Sequence, residues 1–190
     1  IHEYEITREL NIEGILKPLK LERSDSAIAL VMADAGLEPL KKYVHDNPLD
    51  ILEFLRLGIK LVQILDQVHQ KDIIHGNLNP ENILIHPATR DVYITDFSWA
   101  IDLKKRNNWI SNSSVGSYEY MAPEQTGRLK VATDQRSDLY SLGVIFYELV
   151  TGQLPFRGDT PSQLIYAHLT NKPEPPSKIK PNIPYIISEI

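Results

Sequence analysis

HGNLNPENIL, residues 75–84, is the stretch on which the reading of this chain turns. One histidine and three asparagines (Asn77, Asn79 and Asn82) fall within eight residues, and the run ends on apolar Ile83 and Leu84. Working outward, the segment before it, Leu49 to Gln70, carries Ile51, Leu52, Leu55, Ile59, Val62, Leu65 and Val68 at helical spacing, after the start signal DNPLD. After it, Asn82–Ile85 and Val92–Thr95 are short β-like stretches joined by HPATRD, a hairpin.

Residues 102–120 are polar and aperiodic, which predicts a loop. SDLYSLGVIFYELVT, residues 137–151, is apolar nearly all round and predicts a central buried helix. A short helix over Pro161–Leu169 follows, then five prolines between 172 and 184 that imply an extended connection. Toward the N-terminus, His2–Leu10 reads as a short amphipathic helix. Ile15–Leu21 and Ala27–Met32 read as two strands, and Pro39–Val44 as a short helix.

Composition narrows the classes. With 42% hydrophobic and 24% charged residues, 190 residues are enough for one globular domain with a sizeable core. A net charge of −5 gives no electrostatic reason to expect nucleic acid as a partner. The apolar runs Ala27–Met32 and Leu142–Val150 are too short to span a bilayer. The chain has no cysteine, so disulfides and thiolate metal sites are excluded. That fits a reducing compartment, and the expected localisation is cytoplasmic. The opening IHEYEITREL reads as already inside a helix, as in a piece cut from a larger protein.

Three signals occur in order: HGNLNPENIL, DFS at 96–98, and GSYEYMAPEQ at 116–125, followed by SDLYSLGVIFYELVTGQLPF at 137–156. In these motifs the sequence resembles the eukaryotic-type Ser/Thr protein kinases, whose signature runs H-R-D-L-x-x-x-N, D-F-G and A-P-E. APEQTGR is also similar to kinase domains at the front of large bacterial multi-domain sensory proteins. The resemblance covers essentially the whole chain. It implies an α+β, protein-kinase-like fold: most of the helical C-lobe (37–190), a hinge (33–36) and a partial N-lobe of one helix and two strands (1–32). Two strands alone are marginal, and their open edge invites association.

The resemblance also assigns sites. Asn82 and Asp96 fall on the Mg²⁺ positions, where one carboxylate and an amide oxygen suit a hard cation that keeps several waters. Met32 becomes the residue guarding the adenine pocket, the backbones of Ala33 and Ala35 its hydrogen-bonding edge, and Leu84 its floor. Glu3 falls where the family's helix glutamate pairs with a phosphate-gripping lysine; its plainer reading is a solvent-facing helix charge. His75 is a buried structural histidine, and Asp138 braces the backbone around it. Phe97 is the central residue of DFS, and Ser98 replaces a glycine, which would restrict flipping of that segment. Glu124 is the buried glutamate of A-P-E, whose usual arginine partner does not fall within these residues, leaving it unpaired.

Other positions depart from the pattern. Asn77 stands where the family has its catalytic aspartate, and an amide is no base near neutral pH. Asn79 replaces a lysine that balances phosphoryl charge, and Gly76 replaces the arginine that receives an activation-loop phosphate. Ser117 keeps the hydroxyl whose usual partner is the base at 77. Ser111, Ser113 and Ser114 read first as a solvated loop and second as phosphorylation sites. The implied function is an ATP- and Mg²⁺-binding, catalytically impaired module, a pseudokinase, acting on a protein partner within a larger signalling chain. Two alternatives stand beside it: an active Ser/Thr kinase of low activity, and a fragment with no function of its own.

Overall fold

The computed structural model describes residues 1–24, 27–105 and 117–188. The N-terminal helix α1 (His2–Glu9) leads through a connector to an antiparallel hairpin, β1 (Pro18–Arg23) and β2 (Ile28–Met32), with Lys20 opposite Val31 and Leu21 opposite Leu30. The first strand starts three residues later than the pattern predicts. Ile15 pairs instead, as a single parallel bridge, with Ile94. Gly14 makes that possible: at φ +89° a β-carbon there would overlap the Ile64 side chain, while its carbonyl accepts from the Ile94 amide at 2.7 Å.

The rest is mainly helical. Residues β3 (Glu38–Pro39) and α2 (Leu40–Asp46) precede the long helix α3 (Ile51–His69). Asp50 caps α3, accepting from the Glu53 amide at 2.8 Å while the Glu53 carboxylate reaches back to the Asp50 amide. The strands β4 (Ile73–Ile74), β5 (Ile83–Ile85), β6 (Val92–Ile94) and β7 (Ile101–Asp102) form two small antiparallel sheets: β3-β5-β6, and β4 with β7. The hairpin at 83–94 is as predicted. The β4–β7 pair, two residues long on each side, carries no legible alternation in sequence.

The buried helix α4 (Gln135–Thr151) is capped by Asp134 and ends on Gly152 at φ +78°. It is followed by α5 (Pro161–Thr170), with Thr160 as cap, and by a short turn of helix, α6 (Pro176–Ile179), inside the proline-rich connection. One continuous core joins Ile6 of α1 and Leu10 just after it to Leu61, Leu65 and Val68 of α3, Ile83 and Ile94 of the hairpin, and Leu142 and Ile145 of α4. Each such side chain removed from water contributes roughly 1.5–3 kcal/mol. The fold is α+β.

The face that α3 buries differs from the one its periodic list suggests. Phe54, Leu57, Leu61, Ile64, Leu65 and Val68 point inward, whereas Leu52, Leu55, Ile59 and Val62 are exposed, between 41% and 58%. Apolar residues cover more than half of the circumference, outside the polar face of Glu53, Arg56, Lys60, Gln63 and Gln67, so more than one stripe satisfied the period and tertiary packing selected one. Among the described residues, no helix is long and apolar enough to cross a membrane.

Candidate functional site

The β5–β6 hairpin sets the first two site residues. Ile83 faces Ile94, and beyond it the Thr95 amide donates to the Asn82 carbonyl at 3.0 Å, so Asn82 and Asp96 flank the same end of the hairpin. Asp96 adopts a left-handed conformation, φ 61° and ψ 63°, unusual for a residue with a side chain. The chain then closes a 3₁₀ turn, Phe97–Trp99, and Ser98 Oγ donates to Asp96 Oδ1. Position 98 itself does not lie in the left-handed region, so serine fits this conformation without strain; the unusual backbone belongs to Asp96.

The loop before the hairpin is held from several sides. His75 is fully buried. Its Nδ1 accepts from the Asn77 amide at 3.3 Å, so its Nε2 is the protonated nitrogen and donates to the Thr95 carbonyl at 2.9 Å. The ring also packs edge-on against Phe97, centroids 4.7 Å apart. Asp138 of α4, 1% exposed, accepts from the amides of His75 (2.8 Å) and Gly76 (2.9 Å) and from His69 Nε2 (2.8 Å). Three donors satisfy a carboxylate that burial would otherwise penalise heavily.

Asn77, Asn79 and Asn82 form an amide network. Asn79 Nδ2 donates to the Asn77 carbonyl at 3.1 Å and, more weakly, to Asn77 Oδ1 at 3.4 Å. Asn79 Oδ1 accepts from the amides of Glu81 and Asn82 at 2.9 and 3.3 Å. Asn82 Nδ2 donates to the Asn77 carbonyl at 2.9 Å, which leaves its Oδ1 as the free, hard oxygen of that side chain. Asn79 is only 7% exposed. It is more than a lost cation: its amide builds the turn, which a lysine could not do.

Glu3 projects from α1 toward the Asp96 turn. Burial and the Asp96 carboxylate push its carboxyl above the ordinary range, and the backbone amides of Phe97 and Asp96 oppose that shift. The carboxyl is half-buried, so the solvent-facing reading of Glu3 does not describe it. His2 Nε2, one residue away, lies 2.8 Å from the Ala100 carbonyl, tying α1 to the residues after the turn. Met32 ends β2 half-buried, Ala33 and Ala35 are exposed in the following bend, and Leu84 lies half-buried between Pro39 and Tyr93.

One sequence expectation is corrected here. Glu124 is not unpaired, since Ser137 Oγ donates to its Oε1 at 2.5 Å. Ser117 turns its hydroxyl to Glu119 Oε2, 2.7 Å away. Ser111, Ser113 and Ser114 lie outside the described residues.

Residues that motif reading passed over include His69, whose ring joins Asp138, and the pair Tyr120–Glu148, hydroxyl to carboxylate at 2.5 Å. Gln125 is another, and its Nε2 donates to the Gly76 carbonyl at 2.7 Å. His69 lies in the last turn of α3 and Glu148 on α4, where a polar residue reads as a solvated helix face.

The family model of the protein kinase domain matches residues 1–189. Similar proteins include a probable serine/threonine-protein kinase of Clostridium perfringens, 38% identical over 184 residues, covering 95% of this chain and 26% of that protein. Serine/threonine-protein kinase PrkC of Bacillus subtilis is 31% identical over 189 residues, covering 99% of this chain and 29% of the relative. Serine/threonine-protein kinase PknB of Mycobacterium leprae is 37% identical over 151 residues, 78% of this chain and 24% of the relative. The chain therefore spans 24–29% of the length of these relatives. A hairpin presenting Asn82 and Asp96, a loop braced on Asp138 and a family match along almost its entire length place this chain in the protein kinase domain family, on the Ser/Thr side.

Proposed function

We propose that this chain is the kinase domain of a larger signalling protein, that it binds ATP with Mg²⁺, and that its phosphoryl transfer is impaired. The observation that carries this reading is Asn77. Its amide stands where the family uses a carboxylate; Asn79 and Asn82 donate to its backbone carbonyl, and the weaker 3.4 Å contact from Asn79 reaches its side-chain oxygen. An amide oxygen can orient a hydroxyl but does not take its proton near pH 7, and losing a general base lowers a rate by about 10²–10⁴-fold.

The residues for the metal fit it. Asn82 Oδ1 is left free by its own network, and Asp96 uses Oδ1 for Ser98 and keeps Oδ2; both are the hard oxygens that Mg²⁺ takes. When bound, Mg²⁺ neutralises charge on the nucleotide phosphates. The chain's own part is positional. The left-handed backbone of Asp96 aims its carboxylate, and the Asn77 carbonyl fixes the Asn82 amide. The bend at 33–36 offers backbone groups to a purine edge, with Met32 beside it and Leu84 beneath. Residues 1–32 then belong to the N-lobe and 37–190 to the C-lobe, and the partner is a protein in the cytoplasm.

The test uses the full-length chain. ATP with Mg²⁺ is expected to raise its melting temperature, and Asp96→Ala to abolish the rise. Transfer to a generic Ser/Thr substrate is expected to match that of Asp96→Ala, and to appear with Asn77→Asp. Wild-type transfer well above the Asp96→Ala background would overturn the impairment; no nucleotide-dependent shift would overturn binding.

A further inference from the structure

Gly76 is met by three elements at once. Its amide donates to Asp138 of α4, its carbonyl accepts from Gln125 at 2.7 Å, and the Trp99 carbonyl approaches the side where a β-carbon would be. The Gln125 contact crosses 49 positions of sequence and joins the 75–82 loop to the segment that follows residue 116. The other end of the same amide is also engaged, because Gln125 Oε1 accepts from the Ala122 amide at 3.0 Å. A carbonyl can only accept and a backbone N–H can only donate, so the two partners fix the orientation of this amide.

We infer that Gln125 is a positioning residue: its amide, acting through the Gly76 carbonyl, clamps the loop bearing Asn77 and Asn82 onto residues 117–126 without any phosphate. The family's arginine at position 76 would need a phosphorylated partner to make an equivalent connection. Here the connection is made by a neutral side chain that is always in the right charge state. Between the clamped parts lies a cavity of about 20 Å³ lined by Gly76, Asn77, Ser117 and Gln125 among others. It has room for about one water molecule, so the two segments are closely apposed. From Gly76 the effect reaches the metal position in two steps, because the next carbonyl, that of Asn77, holds the Asn82 amide. The inference does not depend on whether transfer is impaired.

The test is hydrogen exchange of the backbone amides from 75 to 82 in the full-length chain, expressed as protection relative to the unstructured peptide and followed from pH 4.5 to 8. Wild type is the reference at each pH, because the titrations of Glu3 and His168 move its own protection across this range. Gln125→Met keeps the length and removes both hydrogen bonds, so protection is expected to fall about tenfold throughout. Gln125→Glu is the discriminating variant. Ionised, it sets a carboxylate oxygen against the Gly76 carbonyl; protonated, it donates as glutamine does. Its protection is expected to be about tenfold low at pH 8 and to recover toward wild type at the acid end. Identical protection in Gln125→Glu and wild type at pH 8, or loss without recovery in acid, would overturn the clamp in favour of simple packing. If neither variant folds, the wild-type side chain decides. One Nε2 proton of Gln125 exchanging more slowly than a free glutamine amide supports the clamp, and both exchanging at the free rate overturns it.

Discussion

A β-carbon at position 76 would stand 2.7 Å from the carbonyl oxygen of Trp99, and Gly76 itself turns through φ +77°. The glycine that replaces the family's arginine is thus required by this conformation as well as permitted by it. Restoring a side chain there strains the backbone and moves Trp99 together.

Gly76→Ala is therefore expected to destabilise the chain by at least about 1–2 kcal/mol from the left-handed backbone alone. Gly76→Arg carries the same β-carbon and is expected to be no better, rather than to regain a phosphate receptor. The control is Gly143→Ala on α4, where a β-carbon meets nothing within 4 Å. That change is expected to be neutral or stabilising by up to about 1 kcal/mol, because alanine favours helix. Denaturant midpoints of the three variants check both signs; equal effects at 76 and 143 would remove the role of Trp99.

Tyr120 is 7% exposed and gives its hydroxyl to Glu148, while Ser141 Oγ donates to the Tyr120 carbonyl at 2.7 Å. Burial, then the Glu148 carboxylate, pushes the phenol far above its ordinary range, so it remains a donor at any working pH. Tyr120→Phe keeps the ring and strips the carboxylate of its partner, and about 1–3 kcal/mol of stability is expected to go with it. Tyr120→Phe combined with Glu148→Gln should recover part of that loss, which a double-mutant cycle measures directly.

How far the sequence reveals this arrangement depends on the range of the interaction. The hairpin bearing Asn82 and Asp96, the start of α3 at Asp50, and the buried α4 are set by neighbours in the chain, and local pattern predicts them. The face of α3 is not, because Leu52, Leu55, Ile59 and Val62 match the helical period as well as Phe54, Leu57 and Leu61 do. Only the position of α4 and the hairpin decides between the stripes. The same holds for Glu124, which motif comparison leaves without a partner and which Ser137, thirteen residues on, supplies. Asn79 shows a third limit. Substitution against a motif registers the charge that is gone, whereas the turn its amide builds becomes visible only through its bonds to residues 77, 81 and 82.

Glu3 gives a prediction with a definite sign. Its folded-state carboxyl binds its proton more tightly than in the unfolded chain, through burial first and Asp96 second. Between the unfolded and folded values the unfolded state holds fewer protons, so stability falls as pH rises through that window. Below it both states are protonated and the penalty is absent. Glu3→Gln is accordingly expected to raise the melting temperature at pH 7 and to leave it unchanged near the acid end of the carboxylate range. An equal rise at both pH values would assign the effect to packing instead.

His168 gives the opposite slope. It sits on α5 beneath residues 118–119, its Nδ1 2.6 Å from the Tyr140 hydroxyl and its ring edge-on to Phe156, while its buried Nε2 meets no well-aligned hydrogen-bond partner among the described residues. Burial holds its pKa below the ordinary histidine range, against the pull of the Tyr118 and Glu119 backbone and the Glu119 carboxylate. Tyr140, raised to about 12 by burial and by Glu124, stays protonated throughout and contributes no step of its own. As pH falls through the unfolded histidine value and then the folded one, the unfolded state takes up the proton first, so stability declines across that window and levels off below it. His168→Gln keeps a polar group beside Tyr140 and removes the titration. The wild-type unfolding free energy is expected to drop more steeply than that of the variant between pH 7.5 and 5. Parallel curves would mean that the ring binds its proton equally well in the folded and unfolded chain, and that burial does not depress it.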